Sequence, residues 1–223
     1  MEKYFVIGFN KTATHTFHNL FLQNNLTSHH NGKQVRNKPL KYNTNWTNID
    51  SYECFSDNGN FQDYRLLDTK YPNSIFILNL RRLDEWLISR FKHGLRGCYE
   101  PARLCTKEKC KKWISEREEF YRKILDYFKD KPNKLIIVSI NEDQWIQYIC
   151  SELQFKINNI EPHCVFPTDE SPEHKNIINV VNSVFDELSY SLDDRKNILF
   201  KDISLTEKYL KFFRNNMGAK PAP

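Results

Sequence analysis

The sequence predicts an α/β protein, a single domain with a mainly parallel central sheet flanked by helices. Short apolar runs that suit buried strands recur at Tyr4–Ile7, Ser74–Leu80 and Leu135–Ile140. Each leads through a loop into a segment with apolar residues at helical spacing. Strands alternating with helices imply parallel pairing, because each return crossover needs a covering helix. With 223 residues and no internal repeat, one sizeable core is expected.

The first unit opens the chain. After the apolar run, Gly8-Phe9-Asn10-Lys11-Thr12-Ala13-Thr14 forms a tight loop, and Thr14 to Leu26 carries Phe17, Leu20, Phe21 and Leu22 on a helix that Asn24-Asn25 ends. Helix N-termini hold unpaired backbone N–H groups and the positive end of the dipole, so a loop containing Lys11, Thr12, Thr14 and Thr16 suits an anion. The plainer reading is an ordinary strand-to-helix turn with a threonine cap. Ser28 to Asn60 is polar, with Pro39 and Gly59 as breakers and a short strand expected near Ser51 to Phe55. So long a polar stretch inside a compact domain suggests part of a substrate wall.

Phe61 to Tyr71 reads as a short helix closed by Pro72-Asn73. Ser74 to Leu80 then suits a central parallel strand, followed by Arg81-Arg82 and a helix over Asp84 to His93. Cys98 to Lys112 is basic and irregular, and Trp113 to Phe128 is an amphipathic helix. After the third strand, Glu142 to Leu153 is helical, with Trp145, Ile149 and Leu153 on one stripe. Asn158 to Pro172 is a proline-punctuated loop, helices follow at Glu173 to Leu192 and Ser204 to Asn215, and the tail 218–223 is extended or disordered.

Composition narrows the function classes. Hydrophobic residues make up 39%, charged residues 27%, and no apolar run approaches the roughly 18 residues of a membrane span. The N-terminal segment lacks a signal-peptide layout, so a soluble, intracellular (cytoplasmic) protein is expected. A formal charge of +5 fits an anionic small ligand at least as well as nucleic acid. The six cysteines form no C-x-x-C pair and read as mostly reduced; Cys98, Cys105 and Cys110 have irregular spacing and no histidine at ligand distance, so no metal is expected. Trp86, Trp113 and Trp145 read as core. The lysines at 107, 109, 111 and 112 read as a solvated helix face that, beside a crevice, could also attract an acidic acceptor.

Ligands of parallel sheets bind where strands end and helices begin. Lys11 and Arg81 occupy equivalent places in two strand–loop–helix units, which suggests a ligand with two separate anionic groups. A Walker loop needs G-x-x-x-x-G-K-[ST], whereas here the lysine follows the only glycine by three positions, and no strand ends in a convincing magnesium-binding aspartate.

Gly8-Phe9-Asn10-Lys11-Thr12-Ala13-Thr14-His15-Thr16-Phe17 resembles the 5′-phosphosulfate loop of sulfotransferases that use 3′-phosphoadenosine 5′-phosphosulfate (PAPS), usually G-x-P-K-[ST]-G-T-[TS]-x-L. Arg81 with Ser89, eight residues later, resembles that family's 3′-phosphate motif, and the strand from Ser74 precedes it in the expected order. The resemblance covers about residues 3–155 and implies a P-loop-nucleotide-hydrolase-like sulfotransferase fold over residues 1–217. It departs from the family pattern at Asn10, Ala13, His15 and Leu83; Ala13 is expected to require a loop without strongly positive φ.

By this resemblance Lys11 stabilises the leaving oxygen. Thr12, Ala13, Thr14, His15 and Thr16 surround the 5′-phosphosulfate, Arg81 and Ser89 hold the 3′-phosphate, and the product is adenosine 3′,5′-bisphosphate. The general base is expected between the two motifs. Asp57 is the first choice, with Glu53, His29, His30 and His93 as alternatives. The acceptor is a small molecule, sugar or peptide, with no nucleic acid or membrane partner expected. The rival classes are a magnesium-dependent nucleotide kinase and a non-catalytic nucleotide- or nucleic-acid-binding module.

Overall fold

The computed structural model describes residues 2–30, 49–57, 64–95, 105–157 and 171–217. Two compact units divide the chain: Met1–Leu80 with Asp130–Cys164 and Phe213–Pro223, and Arg81–Lys129 with Val165–Phe212.

The first unit is α/β. Its strands are β1 (Tyr4–Val6), β2 (Ser28–His30), β3 (Cys54–Ser56), β4 (Ile75–Leu80) and β5 (Leu135–Ser139), and its helices α1 (Thr14–Gln23), α2 (Tyr64–Lys70) and α5 (Trp145–Leu153). The five strands form one sheet in the order β2-β3-β1-β4-β5. Every pairing is parallel, which bears out the expected α/β class with its parallel sheet flanked by helices. The order centres on β1, with Phe5 opposite Phe55 on one side and Phe76 on the other.

Alternation along these strands fills both faces. Tyr4, Val6, Cys54, Ile77, Ile136 and Val138 point to one side, where Phe17, Leu20 and Phe21 of α1 and Trp145, Ile146 and Ile149 of α5 close over them. On the other side the Phe5 ring stacks between Phe55 at 5.2 Å and Phe76 at 5.3 Å. A strand buried on both faces carries an unbroken apolar run, which is why β4 and β5 were readable as strands. Leu22 was expected on the buried stripe of α1 but is 48% exposed, because it projects from a different side of the helix than Phe17, Leu20 and Phe21.

β2 corrects the expectation of an irregular segment from Ser28. It pairs with β3 along Ser28–Cys54, His29–Phe55 and His30–Ser56. Its three residues are polar and only half-buried, so they leave no apolar alternation to recognise. The remainder of that segment, at 31–48 and 58–60, lies outside the described residues, as do most of the loop expected from Asn158, the tail, Cys98 and Cys164.

The second unit is helical: α3 (Leu83–Leu95), α4 (Lys107–Phe128), α6 (Pro172–Glu187), α7 (Leu192–Arg195) and α8 (Ile203–Met217) as far as Phe212. α4 starts six residues before the expected Trp113, because Thr106 caps it by accepting the Lys109 N–H at 3.2 Å. The lysines at its start are solvated, and Lys107 and Lys111 both pair with Glu187 at 2.5 Å. The helix expected over Glu173 to Leu192 ends at Glu187, and a separate helix begins at Leu192. Ser189 turns left-handed at φ 53°, and a Ser191–Asp194 capping box restarts the chain as α7.

Candidate functional site

The loop between β1 and α1 takes its shape from one glycine and one asparagine. A Cβ on Gly8 would lie 2.1 Å from the Asn79 backbone oxygen and 2.3 Å from its Oδ1, so no larger residue fits. That approach lets Asn79 grip both ends of the loop. Its Oδ1 accepts the Gly8 N–H at 2.8 Å, while its Nδ2 donates to the Thr12 carbonyl at 2.7 Å and to Thr12 Oγ1 at 2.6 Å. The Thr12 hydroxyl in turn donates to the Phe9 carbonyl. Thr12 and Asn79 are fully buried, so these bonds are made away from water and an unmade one would leave a polar group stranded.

Held in this way, the loop alternates in backbone hand. Lys11 has φ 68° and Ala13 φ 62°, while Thr12 between them does not enter the left-handed region. Alternation of this kind is the backbone pattern in which successive N–H groups can converge to cradle an anion. It overturns the expectation that Ala13 needs a loop without positive φ. Ala13 sits at φ 62°, ψ 28° as the N-cap of α1, and the Asn79 grip outweighs the Cβ strain. Lys11 is half-buried beside the cradle, Thr14 and Thr16 are buried in the first turn of α1, and His15 is exposed.

Asp57 meets the same loop. It directly follows β3, turned left-handed at φ 58°. Thr14 hydrogen-bonds its carboxylate, and Lys11 and His15 act on it electrostatically; even so, burial outweighs these partners and raises the carboxyl pKa above the ordinary range. A carboxylate held near a loop cation with a raised pKa suits a general base.

The alternative bases divide. Glu53 is spent on structure, accepting the Thr27 N–H at 2.8 Å and the Thr27 hydroxyl at 3.0 Å. The His29 ring faces Tyr52 at 5.2 Å and Phe55 at 6.2 Å. His30 lies beside Asp57, with 3.9 Å between Nε2 and Oδ2. His93 is exposed on α3 in the other unit.

The second motif opens the helical unit. Arg81 is 6% exposed; its Nε donates to Glu85 Oε2 at 3.2 Å, and its carbonyl accepts from Arg117 Nη2 at 2.9 Å. Arg117 is itself buried, lying against the rings of Trp86 and Tyr121. Glu85 thus fixes the plane of the Arg81 guanidinium from one turn away, and Arg117 fixes its main chain. Ser89 lies two turns along α3, half-buried.

Asn79, Glu85 and Arg117 escaped the sequence reading. Only Asn79 left a signal, as the one polar residue in the run Ile75-Phe76-Ile77-Leu78-Asn79-Leu80. Among the described residues no group of three or more His, Cys, Asp or Glu side chains could hold a metal ion, and no helix is long and apolar enough to cross a membrane. The sequence matches no protein-family model and no curated protein.

Proposed function

We propose that this chain is a PAPS-dependent sulfotransferase that moves the sulfuryl group to a hydroxyl or amine. The observation that carries the reading is the loop at Lys11–Ala13, alternating in hand at the mouth of α1, with a cation on it and the raised-pKa carboxylate of Asp57 beside it. In this reading the N–H groups from Lys11 to Thr16 and the Thr16 hydroxyl receive the 5′-phosphosulfate, while the Thr14 hydroxyl holds Asp57. Arg81 forms a charge-assisted bond to the 3′-phosphate and Ser89 adds a hydroxyl donor.

The acceptor oxygen or nitrogen attacks sulfur as the bond from sulfur to the bridging oxygen breaks. Charge gathers on that departing oxygen, where Lys11 meets it with a fixed positive charge. Asp57 removes the acceptor proton, and its raised pKa brings it closer to that of the group it must deprotonate.

Calorimetry with adenosine 3′,5′-bisphosphate, against ATP with magnesium, tests the assignment. Tight metal-independent binding of the bisphosphate is expected, weakened tenfold or more, on the order of 1.4 kcal/mol or above, by Arg81→Ala. Preference for ATP with magnesium, or indifference to Arg81→Ala, overturns it.

A further inference from the structure

Three histidines gather where α1 meets the β2 edge of the sheet. The His30 ring lies 5.2 Å from His18 and 5.3 Å from His15, centroid to centroid. Each ring has a hydrogen-bond partner at Nδ1: Ser56 Oγ at 2.8 Å for His30, Ser28 Oγ at 2.9 Å for His18, and Asn19 Nδ2 at 3.4 Å for His15. His30 is paired with a carboxylate, that of Asp57, and parallel register explains the pairing. His30 stands opposite Ser56 across β2 and β3, so a ring anchored on Ser56 reaches the next residue, Asp57.

Resting on the sulfotransferase reading, we infer that His30 is a positioning residue of the transfer, receiving from Asp57 the proton that Asp57 takes from the acceptor. Nε2 is the receiving nitrogen, so Nδ1 carries the ring hydrogen and donates it to Ser56 Oγ. The separation of 3.9 Å is closed by one bridging water or a small side-chain rotation. The balance is complete with PAPS as the only co-reactant. The bond from acceptor to sulfur forms, the bond from sulfur to the bridging oxygen breaks with its electron pair left on the phosphate beside Lys11, and the proton passes from acceptor to Asp57, to His30, to solvent. Asp57 is thereby returned to its ionised form for the next turnover.

Lys11 and His15 act electrostatically on Asp57, and His18 on α1 has its pKa lowered by burial and by His15 and His29. Asp57 from β3 is the carboxylate that favours the imidazolium of His30. Glu53 is held at the other end of β3 by Thr27, and His29 lies against Tyr52 and Phe55.

The test is a histidine-ring NMR titration of the full chain, with His30 assigned by the signal lost in His30→Gln. The pair predicts that Asp57→Asn lowers the His30 midpoint by roughly half a pH unit or more, as expected for removing a unit charge about 4 Å away, while the His29 midpoint stays. Read from the other partner, His30→Gln raises the Asp57 carboxyl midpoint, a measurement that stands if Asp57→Asn fails to fold. An unmoved His30 midpoint in folded Asp57→Asn, or an unmoved Asp57 midpoint in His30→Gln, overturns the relay. Adenosine 3′,5′-bisphosphate binding separates this from the donor-site reading. His30→Gln is expected to bind it like the parent chain, and failure of the parent chain to bind it overturns the sulfotransferase reading whatever the titration shows.

Discussion

Ala13 holds a left-handed conformation that costs an L-residue about 1–2 kcal/mol, at the N-cap of the helix that opens the candidate site. Ala13→Gly relieves that strain and restores about 0.4–1 kcal/mol of freedom to the unfolded chain, so the net is a gain of roughly 0.5 kcal/mol. Urea denaturation measures it, with the midpoint expected to rise at unchanged slope. Asp57 stores a cost of a different kind. Its carboxyl pKa is raised by burial, so ionisation destabilises the folded chain above the folded pKa and has no effect below the unfolded one. Asp57→Asn, which keeps a side chain tolerant of φ 58°, is therefore expected to raise the melting temperature at pH 7. The difference should shrink as pH falls through the folded pKa toward the ordinary carboxylate value. Melting curves at several pH values decide it, and a variant less stable at pH 7 would show that the bonds to Asp57 outweigh its desolvation.

At the scale of elements, Asp68 ties α2 to the segment entering β5. It is 7% exposed and receives Lys131 at 2.5 Å and also Lys134. Asp68→Ala leaves two ammonium groups without their carboxylate, and because the lysine side chains remain 31% and 18% exposed, the expected loss is about 2 kcal/mol rather than the 3–5 of a sealed pair. Equilibrium unfolding reads it directly. Which elements were legible beforehand follows from what stabilises them. β4 and β5 lie between helices, so burial wrote an apolar run into their sequences. β2 is stabilised by a ladder with β3 and by histidine contacts, neither of which leaves a periodic trace. The first turns of α4 depend on the Thr106 cap beneath a run of lysines, and the gap between α6 and α7 on one left-handed serine. Lys11 and Arg81 were legible because each stands in a loop that leads from an apolar run into a helix, whereas the grip of Asn79 and the approach of His30 to Asp57 depend on partners brought close only by the fold.

Over the whole molecule, composition forecast reduced cysteines, and Cys54, Cys105, Cys110 and Cys150 are free and buried. Burial raises all four thiols, Cys105 to about 11 and Cys110 to about 12, which suppresses the reactive thiolate at neutral pH. A thiol-reactive dye at pH 7 should therefore label no more than two of the six cysteines quickly, with the other four reacting only as the chain unfolds. Rapid labelling of Cys105 or Cys110, read by peptide mass spectrometry, would mean that the start of α4 opens under native conditions.

The grip of Asn79 on Gly8 and Thr12 spans 71 and 67 residues of chain. Contacts so distant in sequence form only after a long loop has closed, and the closure is compensated only once β4 pairs with β1. The shape of the loop from Gly8 to Ala13 is thus a late product of folding. A nascent chain halted before residue 79 contains every residue of the first motif and none of the side chain that shapes it, so the loop takes its form with the arrival of β4 and not with its own synthesis.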